Sequence, residues 1–231
     1  MKTIGLLGGM SWESTLSYYQ LINQGINHKM GGLSSAKICL FSVNFAEIEK
    51  LQHQGNWDKT ADILTDAAQA VEAGGADVLL ICTNTMHKVA DIISEAIAIP
   101  LLHIADATAT QLINKKITKV GLLGTSFTME QDFYKGRLKE KFAIDVIVPN
   151  KNDREIVHKI IYQELCLGQI KSSSKQQYLK IIDDLYQQGA QAIILGCTEI
   201  ALLVNQADTQ VPLFDTTAIH AHAAVEFATS S

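Results

Sequence analysis

The stretch Ile4-Gly5-Leu6-Leu7-Gly8 returns later in the chain as Val120-Gly121-Leu122-Leu123-Gly124, an offset of 116 residues. Two further matches follow in the same order. Gly75-Ala76-Asp77-Val78-Leu79-Leu80 is answered by Gly189-Ala190-Gln191-Ala192-Ile193-Ile194 at an offset of 114, and Pro100-Leu101 by Pro212-Leu213 at 112. Offsets that drift by two are what small loop deletions leave between two copies of one unit. Gly-Ala before an apolar run is common punctuation, so one match alone is weak. Three in order read as an internal duplication.

Each half alternates short apolar runs with longer helical patterns. The runs are 2–8, 37–43, 76–82, 100–103, 118–123, 144–148, 191–195 and 212–214. The helical patterns are 13–29, 57–74, 85–97, 105–114, 130–141, 153–168, 173–188, 199–204 and 217–228. Strands separated by helices predict βαβ units and a parallel sheet. Val78-Leu79-Leu80-Ile81 and Ala192-Ile193-Ile194-Leu195 are apolar throughout, as strands buried on both faces require. Pro100 and Pro212 open short strands, where a missing N–H does least harm. The fold class expected is α/β, two pseudo-symmetric lobes each built on a parallel sheet. Lobes of this kind hold a ligand in the cleft between them, at the carboxyl ends of their strands. The residues that follow matched strands are therefore the site candidates.

Composition narrows the function. The chain has 231 residues, 47% hydrophobic and 19% charged, which is globular and excludes disorder. Its length allows buried cores without disulfide staples. Net charge is −5, the two arginines are Arg137 and Arg154, and no basic run exists, so no nucleic-acid surface is expected. No apolar stretch reaches the roughly 18 residues of a membrane span. The opening run Thr3-Ile4-Gly5-Leu6-Leu7 leaves no room for a signal peptide. The cysteines at 39, 82, 166 and 197 have no CxxC spacing, so reduced thiols in the cytoplasm are expected. His220-Ala221-His222 is the nearest approach to a metal pair and reads as an ordinary helix surface, so no metal is expected.

Four strand ends remain. The first is Gly8-Gly9-Met10-Ser11-Trp12-Glu13 and its counterpart is Gly124-Thr125-Ser126-Phe127-Thr128. GxxGG is not the dinucleotide fingerprint, which removes nucleotide binding there. Ser11 and Ser14 either cap the following helix or help hold an anion. The third end is Cys82-Thr83-Asn84-Thr85 and the fourth Gly196-Cys197-Thr198-Glu199. The offset of 114 pairs Cys82 with Gly196 and Thr83 with Cys197. Neighbours on a strand face opposite ways, so Cys82 and Thr83 cannot both face a cleft. Cys197 is expected just before a helix, whose positive end would lower the thiol below its usual value of about 8.5 and make it a base. Cys39 and Cys166 read as core residues.

Thr83-Asn84-Thr85 and Gly196-Cys197-Thr198-Glu199, with GLLGGMSWEST at residues 5–15, resemble the aspartate/glutamate racemase family. The resemblance runs the full length and includes Asp215-Thr216-Thr217 after the last strand. It implies PLP-independent racemases with no cofactor, a small amino acid as substrate, and a homodimer. It also implies a lobe of residues 1–98 plus 211–231 and a second lobe of 99–210, with the site between them. Members of the family place one cysteine on each face of the substrate Cα. One thiolate removes the proton and the other thiol returns one to the opposite face. Typical members carry Cys-Asn-Thr at the first site. Thr83 stands there in this chain, which resembles the subgroup of L-aspartate/glutamate-specific racemases with a Thr/Cys pair. The resemblance makes Thr83 and Cys197 the catalytic pair. It makes Met10, Gln52, Asn84, Thr85, Thr125 and Thr198 the substrate contacts. In the two-cysteine family the second cysteine deprotonates the L-enantiomer, so initial rates should favour L to D while the equilibrium stays at one.

Glu199 reads either as an orienting group or as a complement to the helix dipole. His87, one turn past Thr83, reads either as a satisfied histidine or as a group that tunes the site, and His103 as structural. Two rivals stand beside the racemase: a single-thiol decarboxylase of the same fold, and a non-catalytic amino-acid-binding module in which Thr83 marks a decayed site.

Overall fold

In the computed structural model, which describes residues 1–230, the chain begins with β1 (Ile4–Gly8), α1 (Trp12–Met30), β2 (Ile38–Ser42), α2 (Phe45–His53), α3 (Trp57–Ala73) and β3 (Val78–Ile81). A 3₁₀ turn at Thr85–Val89 and α4 (Ala90–Glu95) follow. The next elements are α5 (Ile104–Asn114), β4 (Lys119–Gly124), α6 (Ser126–Glu130), α7 (Asp132–Phe142), β5 (Asp145–Ile147) and α8 (Lys151–Gln163). After a 3₁₀ turn at Leu165–Leu167 come α9 (Ser172–Gln187), β6 (Ala192–Gly196), α10 (Ile200–Leu203), β7 (Leu213–Asp215) and α11 (Thr216–Thr229). The chain divides into two compact units, Met1–Ile104 with the residues from His220 onward, and Ala105–Ile219.

The first unit holds a parallel sheet in the order β2-β1-β3. The second holds a parallel sheet in the order β5-β4-β6-β7. The hydrogen-bond registers carry the duplication. Ile4 pairs with Val78 and Val120 with Ala192, which are the sequence offsets of 116 and 114. Leu79 bridges Leu101 and Ile193 pairs with Leu213, at offsets of 114 and 112. The residues matched by sequence are thus equivalent in backbone pairing, not merely in composition.

Glycines inside the central strands set how closely a helix approaches each sheet. A Cβ on Gly5 would lie 2.5 Å from Val71 Cγ1 on α3. A Cβ on Gly121 would lie 2.5 Å from Ile193 Cδ1 and 3.0 Å from Leu185 Cδ1 on α9. All three distances are below van der Waals contact, so only glycine lets these layers close. Strands β1, β3, β4 and β6 are then buried on both faces, while β2 and β5 are partly exposed. In the first unit Leu7, Leu79 and Ile81 pack with Leu64 and Val71, while Ile4, Leu6, Val78 and Leu80 pack with Tyr18, Ile22 and Val225. In the second, Leu123, Ile193 and Leu195 pack with Val157, Ile161, Tyr178 and Ile182. α5 and α11 bridge the two chain breaks between units.

Several elements differ from expectation. The run 100–103 shrinks to the single bridge at Leu101, held by Leu79 N–H to Pro100 O and Leu102 N–H to Leu79 O, both 2.9 Å. The pattern 85–97 splits at Ala90, because nearly every side chain of Thr85–Val89 is buried and no single helical face organises it. The pattern 153–168 breaks at Glu164, with φ −129° and ψ −64°. α2 and α6 were not anticipated: they are nine and five residues long, too short for a clear period. The chain passes from one unit to the other at 104/105 and 219/220, beyond the expected breaks before 99 and 211. Each unit keeps its own copy of the short proline-led segment, so the chain crosses after it, not before. Ile193 N–H donates to Pro212 O at 2.8 Å, as Leu79 does to Pro100.

Candidate active site

Thr83 stands two residues past β3 and Cys197 one residue past β6, both at carboxyl ends of parallel strands. The two segments have the same burial rhythm. Cys82 and Gly196 are buried, Thr83 and Cys197 are partly exposed, and Asn84 and Thr198 are buried again. The pairing inferred from the repeat therefore places Thr83 in the position of Cys197 by backbone register and by exposure.

Cys82 is locked away from chemistry. It is fully buried among Ile4, Leu6, Tyr18 and Leu80. Its N–H donates to Leu7 O at 2.9 Å, and the Ser14 hydroxyl donates to its carbonyl at 2.8 Å. Burial pushes its thiol far above the ordinary value. At the equivalent Gly196 a Cβ would meet Leu122 Cδ1 at 2.8 Å, so the second unit has no room for a cysteine there.

The surroundings of Cys197 overturn the expected lowering of its thiol. Its Sγ donates to Glu199 Oε2 at 3.0 Å. The Thr198 hydroxyl donates to the same oxygen at 2.6 Å. Cys166 Sγ lies 4.0 Å from the other oxygen, Oε1. Burial, then the Glu199 charge, hold the Cys197 thiol well above its usual value. The helix that was to lower it is only the four residues Ile200–Leu203, with Glu199 as its cap. A dipole of one turn is outweighed by desolvation and an adjacent carboxylate. In the resting protein Cys197 is a protonated thiol with a base already hydrogen-bonded to it.

The remaining expected residues fall into two groups, one in each unit. In the first, Met10 and Met86 share a core cluster with Ile48. Gln52 is buried on α2 and its Nε2 donates to Met86 Sδ at 3.7 Å, so it packs against the turn that follows Thr83. Asn84 and Thr85 are buried at the start of that turn. In the second unit Thr125 follows Gly124, which pairs with Gly196, so Thr125 and Cys197 each lie one residue past a paired position. Thr125 Oγ1 accepts from Thr128 N–H at 3.3 Å and caps α6, as Ser11 accepts from Ser14 N–H at 3.3 Å and caps α1. The serines of the first loop therefore act as a cap and as a tie to Cys82. Thr216 Oγ1 donates to Leu195 O at 2.8 Å, fastening the start of α11 beside the end of β6. Asp215 accepts from Thr217 N–H at 2.9 Å and Ala218 N–H at 3.2 Å, and burial raises its carboxyl.

Cys166, read as core, packs against the core of its unit and is also a neighbour of the Cys197–Glu199 pair. Sequence offered no signal for this, since Cys166 lies 31 residues before Cys197 on a separate turn. His220 and His222 do not form a pair: His220 is buried and His222 is exposed beside Glu226. No group of three or more metal-type ligands occurs among the described residues, and no helix among them is long and apolar enough to cross a membrane.

Known proteins are similar to this chain along all or nearly all of its length. A Yersinia pestis crystal structure, provisionally assigned as an Asp/Glu racemase, is 57% identical with a TM-score of 0.93, covering 100% of both chains. PH1733 from Pyrococcus horikoshii OT3, described as an aspartate racemase homologue, is 35% identical with a TM-score of 0.87 and covers 100% of both. The broad specificity amino-acid racemase RacX of Bacillus subtilis is 26% identical over 237 residues, 96% of each chain. The model of the Asp/Glu/Hydantoin racemase family matches residues 7–224. With a duplicated α/β fold and Thr83 and Cys197 at equivalent strand ends, the chain belongs to the Asp/Glu/Hydantoin racemase family.

Proposed function

We propose that this protein is a cofactor-independent amino-acid racemase that interconverts the enantiomers of aspartate and of glutamate, with Thr83 and Cys197 as its two acid/base groups. One observation carries the reading: the Cys197 thiol, already hydrogen-bonded to a carboxylate, belongs to a partly exposed residue at the strand end equivalent to that of the partly exposed Thr83. Inversion at Cα needs one proton acceptor and one proton donor on opposite faces. A duplicated chain supplies one from each copy.

For L to D, Cys197 gives its proton to Glu199 and its thiolate takes the Cα proton. Thr83 O–H then donates to the opposite face of the carbanion, and as Thr83 recovers a proton from solvent Glu199 releases its own to solvent. A hydroxyl serves well as donor to a carbanion and poorly as a base, so the pair is asymmetric. The asymmetry obeys a constraint. L and D forms are equally stable in water, so kcat/KM is the same in both directions, and any preference for L divides between kcat and KM. Asn84, Thr85, Thr125 and Thr198 supply hydroxyl, amide and backbone donors suited to a carboxylate, and Met10 and Gln52 shape the same end of the first unit. A homodimer belongs to the reading as the family resemblance implies it.

The test is proton NMR of L-aspartate and, separately, L-glutamate in D₂O, with no added cofactor and a chiral assay alongside. Loss of the Cα proton signal with appearance of the D-isomer is expected. No exchange with either substrate overturns the reading. Release of CO₂ from an arylmalonate without racemisation would favour the single-thiol decarboxylase, and binding without exchange the non-catalytic module.

A further inference from the structure

His87 is buried in the turn after β3, and both ring nitrogens are committed. Ile104 N–H donates to Nε2 at 3.2 Å, so Nε2 is the acceptor and the ring proton sits on Nδ1. That Nδ1–H donates to the carbonyl of Thr83 at 2.8 Å. The imidazole thus ties the turn bearing Thr83 to the first residue of α5. Its neighbours hold it there. The His103 ring lies 4.5 Å away at 62° and the His220 ring 5.9 Å away at 64°. His220 is itself fixed, accepting from Tyr18 O–H at 2.8 Å and donating from Nε2 to Leu102 O at 2.8 Å. The pair is rigid because both ring nitrogens of His87 and both of His220 are used.

We propose that His87 is a positioning residue for the Thr83 face of the reaction, holding the Thr83 carbonyl so that the hydroxyl one residue from Cys82 keeps a single placement. The inference rests on the racemase reading and extends it to a residue that touches neither proton. Two physical effects follow from the Nδ1–H bond. It fixes the peptide between Thr83 and Asn84, and a misplaced donor is costly in proton transfer. It also polarises that peptide, making the Asn84 N–H a stronger donor for a substrate carboxylate.

This role predicts a specific signature. When Cys197 has removed the Cα proton, the carbanion is either protonated by Thr83, giving the D-isomer, or protonated again from the Cys197 side, giving back L. In D₂O the second route leaves deuterium in recovered L-aspartate without inversion. Loosening the Thr83 face alone should slow inversion while leaving exchange. Three variants divide the bond: in His87→Asn the side-chain amide occupies the Nδ1 position and keeps the donor to Thr83, in His87→Gln the amide reaches the Nε2 position instead, and His87→Ala removes both.

The experiment follows D-aspartate formation and Cα deuterium in recovered L-aspartate for the full chain, with thermal melts as a folding control. His87→Gln and His87→Ala should lose about tenfold or more in inversion and raise the ratio of exchange to inversion about fivefold or more. His87→Asn should stay within about threefold of wild type in both. Unchanged rates in all three, a parallel fall of exchange and inversion, or an Asn variant that behaves like the Ala variant would overturn the proposal. If His87→Ala fails to fold, the Asn and Gln pair decides by itself. Wild type silent in both readouts would instead overturn the racemase reading.

Discussion

Cys197 and Glu199 hold the proton economy of the site between them. The thiol lies well above its usual range because burial and the carboxylate both oppose the thiolate. Glu199 is also the group that can take the proton, through the 3.0 Å hydrogen bond. Transfer inside the pair changes no net charge, so the wild-type rate for L-aspartate should vary little across neutral pH. In Glu199→Gln the acceptor is lost, and with it a charge that raises the thiol. Its pKa then falls relative to wild type, but thiolate must form by losing a proton to water. Below that pKa the thiolate fraction, and the rate, rise tenfold per pH unit. A pH–rate profile should show kcat about tenfold lower than wild type or worse at pH 7, recovering as pH rises. A profile parallel to wild type would contradict the shared-proton account. At this scale the sequence was partly legible. The identity of Cys197 and its neighbour Glu199 could be read, but the sign of the thiol shift could not. It depended on a helix of four residues and on burial, neither of which the spacing Gly-Cys-Thr-Glu contains.

Among the elements, α11 is tied to its neighbours through a buried titratable group. His220 joins it to Tyr18 on α1 and to Leu102, and burial lowers its pKa from 6.5 to about 4. A depressed histidine binds its proton more readily in the unfolded chain. Its contribution is therefore complete above pH 6.5 and is lost as pH falls toward 4. Linkage puts the loss between pH 7 and pH 4.5 at roughly 2–3 kcal/mol. Urea unfolding at the two pH values should show it, and His220→Gln, though less stable at pH 7, should lack that part of the pH dependence. An equal pH dependence in the variant would remove His220 as its source. The long strands and helices were readable from apolar runs and period, as β1, β3, β4, β6, α3 and α9 show. What escaped were α2 and α6, too short to display a period, and the run at 100–103, where apolar composition exceeds the pairing available. The backbone there makes two hydrogen bonds to Leu79 and no ladder.

At the level of the whole molecule, duplication is what paired Thr83 with Cys197, and the resemblance is what gave that pair its chemistry. A search for cysteines near strand ends would have chosen Cys82 and Cys197. The repeat offsets chose Thr83, and the paired registers Ile4–Val78 and Val120–Ala192 have the same spacing. The boundaries between units were less legible, because a repeat reveals equivalent positions but not on which side of a short strand the chain crosses. The substrate contacts were legible only through resemblance, since Gln52 reaches the turn after Thr83 through α2, an element the pattern did not predict. The central claim is that Thr83, not Cys82, is the partner of Cys197. The direct measurement is L-to-D aspartate conversion by Cys197→Ser and Cys82→Ala, each checked for folding by its melt. Cys197→Ser should lose about a hundredfold or more, and Cys82→Ala should keep most of the wild-type rate. A folded Cys82→Ala as inactive as Cys197→Ser would contradict the account and make Cys82 the second acid/base group.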